Sequence, residues 1–267
     1  MRPFSYQKFF STLAILGCLA TPVFSQTAAQ KGESIAQRAD QLSNGFRDFV
    51  VDGNMELRTA GGSTSSRRFT TRTLEEPSSR GTKSLLVFDW PGDIRGTALL
   101  THSRANQDDS QWLYLPSVGR VKRIVGSSRS GSFVGSEFAY EDMVEQDPTN
   151  YTHIWQRDEA CPNGAGQCHL LIRKPRHASS YLQQAVWIDK QALRYQVIQY
   201  YNRRGQLMKT LSMNGYRKYK GKFWRPSRMQ MVNHLTGKST RLDWKNYRFG
   251  IGLSASEFTQ DAMRRVR

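Results

Sequence analysis

A mainly β fold is predicted, built as one strongly curved antiparallel sheet with a helix packed over its concave face. Three observations carry this. Short runs of alternating, β-branched or aromatic residues follow one another from about residue 55 to near the C-terminus, separated by turn formers. Helical periodicity of useful length occurs near the N-terminus, where Ile35, Ala39, Leu42 and Phe46 recur with Arg38, Asp40, Gln41 and Arg47 between them. The late turns Asn202-Arg203-Arg204-Gly205, Lys220-Gly221 and Thr236-Gly237-Lys238 are hairpin connections, so the runs they join should pair antiparallel. A wide curved sheet cannot fill its own hollow with side chains alone. It either closes as a barrel or keeps an apolar cavity for a ligand.

Residues 1–25 read as an export signal. Arg2 and Lys8 give a positive start, the mostly apolar run 9–20 is of secretory length, and Pro22 breaks any helix. Val23-Phe24-Ser25 places small residues where a signal peptidase reads, which makes Gln26 the new N-terminus and the periplasm the expected compartment. Ile15-Leu16-Gly17-Cys18 also resembles a lipobox, with lipidation at Cys18 as the alternative outcome. Leu16 is large for its place there, and the apolar run continues through Leu19 and Ala20.

A helix is expected over 31–49. The β runs fall at 55–60, 68–74, 84–90, 98–103, 111–115 and 121–125, then at 151–156, 169–173, 185–189, 195–201, 208–219, 223–233 and 240–249. Residues 126–136 are rich in Gly and Ser and poor in aliphatics, which marks a long loop of the kind that carries function. A short helix is expected at 140–146, and another at 256–264 with Ser256 as its N-cap and Arg264 and Arg265 at its end. No repeat of fixed period and no linker divides the chain, so 26–267 is expected to form a single domain.

Cleavage of the signal takes only two positive charges from a formal net charge of +17. Such a balance attracts anionic surfaces. For an exported protein these are lipid head groups, lipopolysaccharide or an acidic partner rather than nucleic acid. Arg and Lys are spread along the chain, so solvated strand faces account for the charge as well as a binding patch does. Cys161 and Cys168 flank the turn-forming segment Pro-Asn-Gly-Ala-Gly-Gln. In an oxidising compartment this predicts a disulfide stapling a hairpin end, with a redox pair or metal ligands as the alternatives.

Catalytic motifs are not apparent. The histidines His102, His153, His169, His177 and His234 have no partners at metal-ligand spacing, and Gly131-Ser132-Phe133-Val134-Gly135 has the wrong spacing for a nucleophile elbow. No phosphate-cradling glycine loop is present. The acidic cluster Glu141, Asp142, Glu145 and Asp147 is read as the solvated side of a short helix, with a cation site or paired carboxylates as the alternatives. No metal and no cofactor is expected, and nothing nominates an enzyme. Large amphipathic side chains on strands are over-represented instead: Phe88 and Trp90, Trp112 and Tyr114, then Trp187, Tyr195, Tyr201, Trp224, Met229, Met231 and Trp244. Met and aromatic side chains can repack around a flexible acyl chain.

Several segments resemble the LolA-like outer-membrane lipoprotein-sorting proteins. They are Gly96-Thr97-Ala98-Leu99-Leu100-Thr101-His102, Gln111-Trp112-Leu113-Tyr114-Leu115-Pro116 and Gly119-Arg120-Val121-Lys122-Arg123-Ile124. Arg129-Ser130-Gly131-Ser132-Phe133, Gly135-Ser136-Glu137-Phe138 and Tyr140-Glu141-Asp142 follow. Val186-Trp187-Ile188-Asp189-Lys190, Gly221-Lys222-Phe223-Trp224-Arg225-Pro226 and Met229-Gln230-Met231-Val232-Asn233-His234 complete the set, and the match runs from about residue 32 to 267.

The resemblance implies an incomplete β-barrel with a helical lid over an apolar cavity that takes acyl chains of a lipid or lipoprotein. It also implies a periplasmic carrier that accompanies an inner-membrane exporter of the resistance–nodulation–division class. Transient membrane contact and a monomer are expected. Candidate cavity residues are Leu86, Phe88, Leu99, Trp112, Tyr114, Met229 and Met231. Arg120, Lys122, Arg123 and Arg129 are candidates for contact with a head group or partner. The second cysteine of the Cys161–Cys168 pair departs from the commoner family pattern. A non-carrier accessory subunit of an exporter and an envelope lipid hydrolase are the rival functions.

Overall fold

The computed structural model describes Met1 and residues 26–76, 80–105 and 107–265. The expected export signal, with Cys18 and the Ser25 cleavage position, lies outside the described residues. No helix among the described residues is long and apolar enough to cross a membrane.

Helix α1 (Ala28–Ser43) starts with a capping box, in which Thr27 Oγ1 accepts from Gln30 N at 3.2 Å and Gln30 Oε1 accepts from Thr27 N at 2.9 Å. It buries Ile35, Ala36 and Ala39. The expected extension to residue 49 does not occur. Asn44 takes an extended backbone, Gly45 follows at φ +88°, and the pair acts as a stop. Phe46 then leaves the helix to pack against Phe223 and Phe249, with ring centroids 6.2 and 6.5 Å away. Its apolar spacing mimicked another helical turn.

From there the chain is a meander. Strands β1 (Asp48–Arg58), β2 (Thr64–Glu76), β3 (Gly81–Trp90), β4 (Ala98–Ser103), β5 (Ser110–Leu115) and β6 (Arg120–Ile124) each pair antiparallel with the next. A second meander contains β7 (Tyr151–Ala160), β8 (Gln167–Pro175), β9 (Tyr181–Asp189), β10 (Tyr195–Asn202) and β11 (Leu207–Asn214). The ribbon β12 (Arg217–Tyr219) and β13 (Phe223–Arg225) interrupts it before β14 (Arg228–Asn233) returns to β11. This ribbon divides each of the runs expected at 208–219 and 223–233 into two strands. Finally β15 (Ser239–Phe249) pairs with β14 and with β1, which joins both meanders into one thirteen-stranded antiparallel sheet. Its outermost strands, β6 and β7, are not paired with each other, so the sheet is curved but not closed into a barrel.

This order has a geometric consequence. Strands β6 and β7 follow one another in sequence yet lie at opposite edges of the sheet. The segment between them must therefore cross from edge to edge. It does so as a strap of short 3-10 turns, Gly126–Ser130, Phe133–Gly135, Tyr140–Asp142 and Pro148–Asn150. The loop expected at 126–136 and the helix expected at 140–146 are parts of this strap, and only Tyr140–Asp142 of the latter is helical. Phe133 and Phe138 from the strap pack into one buried cluster with Met55, Phe69 and Phe88 from the sheet.

The sheet's other face has its own cover. Helix α2 (Gln260–Arg265) and Phe258 pack over it, where Phe258 and Met263 meet Leu85, Ala98 and Leu100. The expected cap at Ser256 shifts to Thr259, whose Oγ1 accepts from Ala262 N at 3.1 Å. Ser254 caps a separate 3-10 turn, Ala255–Glu257.

Candidate ligand cavity

Between strap and sheet lies a cavity of about 420 Å³, a volume typical of small-ligand sites. Its apolar wall comes from alternate residues of strands far apart in sequence: Leu86 of β3, Leu99 of β4, Ile198 of β10, Leu211 and Met213 of β11, Met229 of β14 and Leu242 of β15. The strap adds Phe138, Met143 and Val144. The C-terminal end of α1 supplies Leu42, which is 49% exposed and marks the mouth. Ser43, Phe46, Trp224 and Arg225 stand beside it.

The strap is held down by its own polar side chains. Asn233 Nδ2 donates to Glu137 at 2.7 Å, and Ser179 Oγ donates to Glu141 at 2.7 Å. The Tyr181 hydroxyl donates to the Asp142 carboxylate at 3.0 Å, with Lys209 Nζ 3.8 Å away. Thr82 Oγ1 donates to Glu145 Oε2 at 2.7 Å. Gln146 Oε1 accepts from Arg173 Nη2, and Arg173 itself is fully buried, donating from Nε to Gln184 at 2.7 Å and lying 4.1 Å over the Tyr151 ring. The acidic cluster read as a solvated helix face is therefore an inward-facing set of ties. Burial pushes the Asp142 pKa up to about 6 against the pull of Lys209, and that of Glu145 up to about 7 against its hydroxyl donor. Asp147 instead caps the turn at Pro148–Asn150.

Of the expected cavity residues, Leu86, Leu99 and Met229 stand in the wall. Phe88 and Met231 are buried in the adjoining core, Phe88 with its ring 5.8 Å from Phe133 of the strap. Trp112 and Tyr114 are on the opposite face of the sheet, in the cluster covered by Phe258 and Met263, so they do not face the cavity. Strands β3 to β5 are covered on both faces, and apolar residues at consecutive positions hide which face looks inward. Sequence reasoning missed the polar wall, Thr71, Thr73, Thr82, Ser84, Asp142 and Glu145, and the arginines Arg194 and Arg225. A run of threonines on a strand carries no local mark of a cavity.

The four candidate contact residues do not form one patch. Arg120, Lys122 and Arg123 are exposed on the edge strand β6, flanked by exposed Val118 and Val125. Arg129 lies within the strap and pairs with Asp108 at 3.7 Å and Asp109 at 3.8 Å. Cys161 and Cys168 form a disulfide that closes the β7–β8 hairpin, with Cα atoms 5.1 Å apart. Among the described residues no three His, Cys, Asp or Glu side chains gather as a metal site.

Comparison with known proteins identifies relatives of the whole fold. A family model described as "Uncharacterized protein" matches residues 80–265. The crystal structure of an outer-membrane lipoprotein-sorting protein domain from Vibrio parahaemolyticus is 39% identical, with TM-score 0.85, over 89% of this chain and 100% of that one. A DUF1329 family protein from Desulfovibrio piger is 31% identical, with TM-score 0.84, over 89% and 99%. A LolA superfamily protein from Nitrosomonas europaea shares the fold at 21% identity and TM-score 0.68, over 86% and 98%. No curated protein matches the chain. With 39% and 31% identity over nearly the whole of two such relatives, the chain belongs to the family of that lipoprotein-sorting protein domain and the DUF1329 protein, and it shares the fold of the LolA superfamily.

Proposed function

We propose that the protein is a periplasmic carrier that holds an acyl chain of a lipid or lipoprotein in this cavity and moves it between the inner and outer membranes. The observation that carries the reading is the cavity itself, an apolar hollow of about 420 Å³ roofed by a strap tied to the sheet largely through side chains. Each methylene buried there contributes about 0.8 kcal/mol, so a single chain is held firmly without covalent chemistry. Release then needs a competing apolar site or a movement of the strap. Residues 26–267 act as one domain and as a monomer in this scheme. The export signal and the Cys161–Cys168 disulfide support an oxidising compartment.

The donor is an inner-membrane exporter of the resistance–nodulation–division class, a partner proposed from the family resemblance. Arg120, Lys122 and Arg123, with Val118 and Val125 beside them, suit brief contact with an anionic membrane surface. The test is to purify the exported protein without added lipid, extract it and identify co-purified lipid by mass spectrometry. The stripped protein is then titrated with a fluorescent acyl probe. Near-stoichiometric acyl lipid and saturable probe uptake are expected. Lipid-free protein that also refuses the probe overturns the carrier and leaves the accessory-subunit reading.

A further inference from the structure

We propose that the ligand is a single-chain amphiphile with an anionic head group, carboxylate or phosphate, seated on Arg225 at the cavity mouth. This rests on the carrier reading and narrows it to a class of cargo.

Among the described residues, five charged side chains reach the cavity wall: Asp40, Asp142, Glu145, Arg194 and Arg225. Arg194 is paired with Asp189 at 2.8 Å, and Asp142 has Tyr181 and Lys209. Asp40 and Glu145 lack a cation within pairing distance among the described residues, but carboxylates can relieve burial by taking a proton. Burial raises the pKa of both. Arg225 has neither remedy. A guanidinium stays charged at any physiological pH, and Arg225 pairs with no carboxylate among the described residues.

Its partners are neutral oxygens. Nη1 donates to Ser43 Oγ at 3.3 Å and to the Trp224 carbonyl at 3.0 Å, and Nη2 donates to the Ser43 carbonyl at 3.2 Å. These bonds fix the guanidinium against the end of α1 and leave Nε–H and one Nη2–H without a partner among the described residues. That pair is the edge with which arginine grips an oxyanion in bidentate fashion. Phe46 and Phe49, both in the cavity wall, lie 5.2 and 5.8 Å from the guanidinium carbon, so the site is bordered by apolar surface where a chain begins. Lys222 Nζ, bonded to the Asn44 carbonyl at 3.0 Å, adds a second cation at the same end. A chain entering here runs inward toward Leu211, Leu86 and Leu99 with its head group left at the mouth.

The experiment compares cis-parinaric acid with its methyl ester on delipidated protein at neutral pH, then displaces the acid with oleate or with oleoyl lysophosphatidic acid. Wild type should bind the acid about tenfold or more tighter than the ester, the size of a charge-assisted bidentate contact. Arg225→Met should bring the acid to the ester's affinity without changing the ester, and Arg225→Lys should keep part of the preference. The stronger displacer tells a carboxylate source from a phosphate source. Equal affinity of acid and ester for wild type overturns the anionic head group and leaves the carrier intact. Failure to bind either overturns both. If Arg225→Met does not fold, the wild-type ratio and Arg225→Lys decide alone.

Discussion

Leu86 and Leu99 are direct partners across the β3–β4 ladder and both reach the cavity. Replacing either with tryptophan puts a large ring into space that a bound chain would occupy. Leu99→Trp is expected to lower acyl-probe affinity at least about tenfold while the circular dichroism spectrum stays native; unchanged affinity would place the chain elsewhere. Trp112 gives the matching control. It packs on the other face of the sheet, with its ring 5.1 Å from His102, so Trp112→Ala should cost about 2–4 kcal/mol of stability and leave probe affinity unaltered. Pattern alone gave both residues the same claim, because β3 and β4 carry leucines at consecutive positions, Leu85-Leu86 and Leu99-Leu100, all buried. Alternation distinguishes faces only when one of them meets water. Asp142 was illegible for a different reason: its partners Tyr181 and Lys209 stand on strands of the second meander, and nothing near it in sequence announces them.

The strap is the element with a pH dependence of its own. Burial raises the Glu145 pKa from 4.5 to about 7 and the Asp142 pKa from 3.8 to about 6. A raised folded-state value means the folded protein holds the proton more tightly than the unfolded chain. The associated stability is complete below about pH 4 and is lost as pH rises through about 6 to 7. Hydrogen exchange across 137–146 should therefore quicken over that range, and Tm should fall. Glu145→Gln removes the ionisation but keeps an oxygen for the Thr82 hydroxyl. The variant should be more stable than wild type near pH 8, by about 3 kcal/mol at most, and should match it near pH 4. Superimposable profiles for variant and wild type would mean that the carboxylate stays hydrated. At the far end of the sheet, the Cys161–Cys168 staple closes a short loop. Replacing both cysteines with serine should cost about 2.5 kcal/mol by loop entropy with no change in probe affinity. Hairpins such as this one were legible because turn chemistry is local. The strap's path was not, since it follows from β15 pairing with β1 across almost the whole chain.

At the scale of the molecule, that β1–β15 seam decides what the protein can do. Two local meanders meet along it, their free ends become opposite edges of the sheet, and the connecting segment is forced over the concave face. The cavity is thus a consequence of strand order, and its roof is the long connection between β6 and β7, which belongs to neither meander. A ligand beneath that roof touches α1, both meanders and the strap at once, so it should stabilise the whole cooperative unit rather than a local patch. At a free concentration of about one hundred times Kd, linkage gives about 2.7 kcal/mol. For the unit proposed over residues 26–267 this corresponds to a rise in Tm of about 5–10 °C. The exposed basic edge of β6 offers the contrasting case, because a lipid gathered there contacts one hairpin and should scarcely move Tm. Thermal unfolding with cis-parinaric acid therefore separates the two modes. A rise that scales with the logarithm of ligand concentration, and disappears in Leu99→Trp, places the chain under the strap; saturable binding with no rise places it on the surface and removes the cavity from the mechanism.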